Sequence, residues 1–113
     1  MRAYFKNILN TIERSVQSMD EAAFTQLLDE CQATLENGGK IIVSGLGKNV
    51  PVCDKFVGTM NSLGLPASFM NTNTAVHGDL GLVKPGDLVI ILTKSGETAE
   101  SVLTYSSRIS SFV

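Results

Sequence analysis

The sequence contains no tryptophan, one histidine and two cysteines in 113 residues. Cys31 and Cys53 form no CxxC pair, and with His77 as the lone histidine they cannot build a recognisable zinc site. No metal and no cofactor are therefore expected. Two such thiols make no disulfide framework, and reduced cysteines in a cytoplasmic protein are the plain expectation. Absent too is any apolar run near the ~20 residues of a membrane span, and the charged, helical start lacks a signal-peptide pattern. Positive charge is not in excess. Nine Lys and Arg against eleven Asp and Glu leave a net −2, which gives no electrostatic footprint for nucleic acid or an anionic membrane. Local basic residues can still hold a small anion.

What is present suits one folded domain. Hydrophobic residues make up 43% and charged residues 18%, which argues against disorder. A 12.1 kDa chain can bury roughly two thirds of its unfolded surface without a disulfide or metal. Phe5, Ile8, Leu9, Ile12 and Val16 recur at helical spacing, which predicts an amphipathic helix over 3–17. Ser18 to Glu21 reads as a capping box with Ser18 as N-cap. A second helix carries Phe24, Leu27, Leu28, Cys31 and Leu35 on one face and ends at Gly38-Gly39, so residues 1–38 read as an antiparallel helical hairpin. Cys31, on that face, belongs to the core.

From residue 39 to 113 the pattern is that of a parallel α/β unit. Ile41-Ile42-Val43 is a continuous β-branched run, expected of a strand covered on both faces. A helix follows with Asn49 as cap, Pro51 in its first turn, and Val52, Phe56, Val57 and Met60 facing inward. A short strand spans Ala67 to Met70, and a polar segment, 71–79, includes a helical turn. Lys84 to Asp87 is a turn. Leu88 to Leu92 is the clearest buried strand, and a last helix through Val102, Leu103 and Ile109 runs to the end. The order implies right-handed βαβ crossovers. Three strands leave one sheet edge uncovered, so either a partner covers it or the chain is a shortened version of a larger domain.

In open parallel sheets ligands sit beyond the carboxyl ends of the strands. Two such ends carry anion-binding composition. In Gly45-Leu46-Gly47-Lys48-Asn49, Gly45 and Gly47 let backbone approach a ligand, a helix start offers N–H groups and Lys48 adds a charge. A dinucleotide fingerprint would need glycine at Val50, and a P-loop would need it at Ile42. The alternative is a tight turn with a solvated lysine. At the second end, Thr93, Ser95 and Thr98 place three hydroxyls around Gly96 at a helix start, a phosphate cradle that needs no metal. The alternative there is one capping hydroxyl and two incidental ones. His77 is either a loop hydrogen-bonder or a catalyst. Glu97 and Glu100, in a helix first turn, either cap or act. Cys53, in the first turn of its helix, is a buried small residue unless its thiolate is exposed.

Gly45-Leu46-Gly47-Lys48, Val76-His77-Gly78-Asp79-Leu80-Gly81 and Thr93-Lys94-Ser95-Gly96-Glu97-Thr98-Ala99-Glu100 together resemble the sugar-isomerase (SIS) domain, and within it the arabinose-5-phosphate isomerase group. The resemblance runs from about residue 20 to about 105. It implies a three-layer α/β sandwich of flavodoxin type around a five-stranded parallel sheet, with this chain stopping before the last strands and lacking the tandem CBS regulatory domains common in the group. Also implied are sugar-phosphate binding, aldose–ketose isomerisation through an enediol, and a homodimer or homotetramer with sites at subunit interfaces. By motif position Lys48, His77 and Glu100 match catalytic residues, and Thr93, Ser95 and Thr98, with Gly96 and Glu97, the phosphate-binding loop. Asn49-Val50 stands where the family often has Ser-Gly, and Asn71 where the group uses a histidine for substrate or metal contact. A noncatalytic phosphosugar-binding module is the alternative to the enzyme, and a structural fragment valued for its assembly is a second.

Overall fold

The computed structural model describes residues 1–72, 79–93 and 111–112, leaving aside the side chains of 79, 80, 111 and 112. Helix α1 spans Arg2–Gln17 and α2 spans Glu21–Glu36. Strand β1, Ile41–Gly45, leads through a 3-10 turn, Gly47–Asn49, into α3, Val50–Ser62. Strands β2, Ala67–Asn71, and β3, Leu88–Ile91, follow, and a two-residue strand β4, Ser111–Phe112, completes the set.

All strand pairs are parallel, in the order β2-β1-β3-β4. Among the described residues the sheet thus has four strands where three were expected. The expectation of a helix running to the chain end is corrected at Ser111–Phe112, which pair with Val89 and Ile90. The physical reason lies in β3, whose outer backbone groups need partners and receive them from β4. The last predicted helix otherwise falls outside the described residues.

Alternation along the strands sorts the core into two faces. Ile41, Val43, Ala67, Leu88 and Ile90 lie on one, packed by Leu27, Cys31 and Leu35 of α2 and by Cys53, Val57 and Met60 of α3. Ile42, Met70, Val89 and Ile91 lie on the other, with Val83 against them. Full burial of such side chains contributes about 1.5–3 kcal/mol each, so the central strands dominate the stability.

Several local expectations are corrected. Asp20, not Ser18, caps α2: its carboxylate accepts from the Ala23 amide at 3.1 Å, while the Ser18 hydroxyl donates back to the Ser15 carbonyl. Asp20 directly precedes the first turn, and a carboxylate there also meets the positive end of the helix dipole. On α3 the inward positions are Cys53, Val57 and Met60, whereas Val52 and Phe56 are exposed. Cys53 fits beneath the end of β1, and i+4 and i+7 spacing then fixes the buried stripe. Likewise α2 turns Leu27, Cys31 and Leu35 to the sheet and leaves Phe24 and Leu28 outside.

Helix α1 buries no residue. The apolar stripe of α2 packs on the sheet through Leu27, Cys31 and Leu35. Phe5, Ile8, Leu9, Ile12 and Val16 stay exposed.

Glycine closes both long core helices in the same way. After α2, the Gly38 amide reaches the Leu35 carbonyl and the Gly39 amide reaches that of Thr34, with Gly38 at φ 81°. After α3, the Gly64 and Leu65 amides repeat the pattern on Asn61 and Met60. Both are Schellman closures, which satisfy the last carbonyls of a helix. Asn61 then clamps the start of β2, its side chain donating to and accepting from the Ala67 backbone.

Candidate functional site

The two ends of the sheet differ in how they use their polar groups. At the amino end, Asp87 accepts from the backbone amides of Lys40 and Lys84 and from the Lys40 ammonium at 2.6 Å. Lys40 Nζ also donates to the Leu82 carbonyl. Burial pushes the Asp87 carboxyl upward, but these hydrogen bonds and the Lys40 charge outweigh it and hold the group below the usual aspartate range. The Lys84–Asp87 turn closes through the Asp87 amide on the Lys84 carbonyl, with Gly86 at φ 92°. A cavity of about 390 Å³ opens here, lined by residues 37–40 and 84–87 with Pro66. It lies opposite the predicted site.

The carboxyl end holds the Gly45–Asn49 turn. Its two glycines serve different needs. A side-chain carbon at Gly45 would lie 2.8 Å from Cys53 Sγ and 3.1 Å from Asn49 Cβ, so Gly45 allows α3 to pack closely over the end of β1. Gly47 is the open one: it sits at φ 60°, and among the described residues no atom lies near the added carbon. Lys48 beside it is exposed, and no hydrogen bond or ion pair holds it among the described residues. Gly47, Lys48 and Asn49 form the 3-10 turn that feeds α3; the Asn49 and Val50 amides are used on the Leu46 and Gly47 carbonyls, and Pro51 has no N–H to offer.

Asn49 does not cap α3 with its side chain, as expected from its position, because its backbone is already helical. Its amide nitrogen instead donates 3.1 Å to the carbonyl of Leu92, at the end of β3. Thr93 follows directly and is half-buried. The two candidate turns therefore start from adjacent strands, joined at their ends. Beneath them Ser44 and Thr72, both fully buried, share a hydroxyl–hydroxyl bond of 2.8 Å, which ties the end of β1 to the residue after β2. Neither residue stood out in the sequence, since a lone strand serine shows no partner until strand order is known.

Cys53 is fully buried. Burial above all, and the Asp54 charge, push its thiol upward despite a backbone hydrogen bond, so this is a packed thiol and not a thiolate. Cys31 is shifted the same way by burial and Glu30. His77, Ser95, Gly96, Glu97, Thr98 and Glu100 lie outside the described residues. Among the described residues no group of three or more His, Cys, Asp or Glu could hold a metal ion. No described helix is long and apolar enough to cross a membrane.

A parallel sheet with an open glycine turn and an exposed lysine beyond its central strand defines an α/β domain whose strand ends are the candidate ligand site. The SIS domain profile matches residues 34–108, and the chain belongs to the SIS domain family. It is similar to the arabinose 5-phosphate isomerases KdsD of Yersinia pestis and of Escherichia coli K12. Each is 33% identical over 95 residues, which cover 84% of this chain and 29% of the relative. Among solved structures it is similar to an Escherichia coli CFT073 protein in complex with arabinose 5-phosphate. That likeness has a TM-score of 0.79 and 35% identity, covering 94% of this chain and 54% of the other. A Bacteroides fragilis protein, proposed to be a phosphosugar isomerase, superposes with a TM-score of 0.81 over 98% of this chain and 62% of its own. Its 24% identity speaks for the fold alone. The chain spans under a third of the length of the curated relatives it matches.

Proposed function

We propose that this chain binds a sugar phosphate at the carboxyl ends of β1 and β3 and belongs to an aldose–ketose isomerase acting on arabinose 5-phosphate or a close analogue. The observation that carries the reading is the pairing of the open Gly47–Lys48 turn with the Thr93 strand end on adjacent strands. Family membership and the likeness to a protein solved with arabinose 5-phosphate support it.

In this reading Thr93, Ser95, Gly96, Glu97 and Thr98 hold the phosphate, and Gly47 and Lys48, in the turn that runs to Asn49, form the facing wall. Isomerisation moves a proton between neighbouring carbons through an enediol. Glu100 or His77 serves as the base, and Lys48 stabilises the developing oxyanion. A carboxylate near its ordinary pKa of about 4.3 is a weak base at neutral pH, so a site using Glu100 must raise it: a phosphate dianion beside a carboxylate pushes upward, and a helix N-terminus pushes downward. The exposed apolar stripe of α1 supports assembly as a homodimer or homotetramer, because soluble monomers seldom leave such a stripe in water. We place the protein in the cytoplasm, its thiols reduced.

Calorimetry with arabinose 5-phosphate and with arabinose tests the reading. The phosphorylated sugar should bind clearly more tightly, and Ser95→Ala should remove about 1.5–3 kcal/mol of that preference. Equal affinities contradict a phosphate site. Binding without turnover in an aldose–ketose assay supports the noncatalytic module instead. Size exclusion with light scattering reads the assembly, and a monodisperse monomer contradicts it.

A further inference from the structure

We infer that Asn49 is a positioning residue: its side-chain amide supplies the last rung between β1 and β3 and thereby sets the Leu46–Lys48 turn against the end of β3. The register carries the inference. Ser44 pairs with Ile91, and the Leu92 amide donates to the Ser44 carbonyl at 2.8 Å. A parallel ladder would next take the Leu92 carbonyl to the Leu46 amide. At Leu46, however, β1 has ended and the chain enters the 3-10 turn. Asn49 Nδ2 donates to that carbonyl in its place, at 3.1 Å. Leu92, directly after β3, is thus held at its amide by the backbone of β1 and at its carbonyl by a side chain of the turn that follows β1.

The surroundings show why asparagine suits the position. Asn49 Cβ stands over Gly45, where an added methyl would come within 3.1 Å of it, so the side chain has a fixed root. From there a donor two bonds beyond Cβ reaches Leu92. Alanine has no donor, and an ionised aspartate of the same shape offers only acceptors to a carbonyl. The group is partly buried, where an unmatched carbonyl is costly. Asn49 therefore acts on a bound anion through the turn it holds, and its amide is engaged with Leu92 before any ligand arrives.

This role rests on the phosphosugar reading only for its effect on affinity; the strut itself is testable without ligand. Amide hydrogen exchange in the ligand-free chain should rise about tenfold at Leu92 in both Asn49→Ala and Asn49→Asp, with Val43 and Val89 unchanged. Unchanged exchange at the strand centres also shows that the variants fold. Arabinose 5-phosphate should bind Asn49→Ala about tenfold more weakly. Affinity that falls while exchange at Leu92 stays at the wild-type level means direct ligand contact and overturns the inference. So does wild-type behaviour in both measurements. If exchange rises at Leu92 but the unaltered chain binds no arabinose 5-phosphate, the strut stands and the phosphosugar reading falls.

Discussion

The amino and carboxyl ends of the sheet are both built from glycine turns and lysines, yet they spend them differently. At the amino end Gly39 packs against the Gly86 carbonyl, and Lys40 and Asp87 use their polar atoms on each other and on nearby backbone. At the carboxyl end Gly45 is packed shut beneath α3, while Gly47 and Lys48 remain open. Similar composition therefore yields a structural joint at one end and a candidate anion site at the other. Among the described residues, what separates them is that an aspartate stands within reach of Lys40 and none within reach of Lys48.

If that contrast is right, substitutions at the amino end should cost stability, and those at the open carboxyl turn should cost ligand affinity. The largest effect is expected from Gly39→Ala, whose methyl would collide with the Gly86 backbone, which cannot swing away as a side chain can. Chemical denaturation should show a loss of about 3 kcal/mol or more. Next, Asp87→Asn should cost about 2 kcal/mol at neutral pH, since it weakens a charge-assisted network of three donors. The sign of the pH dependence follows from the lowered carboxyl. Its contribution is present above the unfolded-state value of about 3.9 and is lost as the pH falls through the lower folded value. Below about pH 4 the unaltered chain should therefore lose stability more steeply than Asp87→Asn, as read by denaturation across an acid series.

Gly45→Ala tests the closed half of the carboxyl turn. Crowding against Cys53 should cost about 1–3 kcal/mol, and pairing it with Cys53→Ala should recover part of that loss in a double-mutant cycle. The smallest stability effect belongs to Lys48→Ala, within about 0.5 kcal/mol of the unaltered chain. Its affinity for arabinose 5-phosphate should nonetheless fall about tenfold. A large stability loss at Lys48 would break the contrast between the two ends.

Much of this was legible in the sequence where a pattern was local. Helical spacing gave α1 and α2 nearly to the residue, and β-branched runs marked β1 and β3. The Pro85-Gly86 turn and both glycine helix ends could also be read, because a positive φ is a demand a short sequence can show. Facing was harder. Cys53 replaced Val52 and Phe56 as the inward residue of α3, since several apolar positions fit a helical stripe and only the sheet decides among them. Least legible were the long-range polar bonds: Lys40 with Asp87, Ser44 with Thr72 and Asn49 with Leu92 each join residues far apart in the chain. Strand order creates those pairs, and no local pattern announces them. The candidate site was found through strand ends and glycine composition, but the separate duties of Gly45 and Gly47 needed the packing of α3.

The most direct test of where the ligand sits is an amide-detected titration of the chain with arabinose 5-phosphate. The account expects the largest shifts at Leu46, Gly47, Lys48 and Thr93, with the amides of Lys40, Lys84 and Gly86 unmoved. Shifts concentrated at Lys40, Lys84 and Gly86 would place the anion in the amino-end cavity and contradict it.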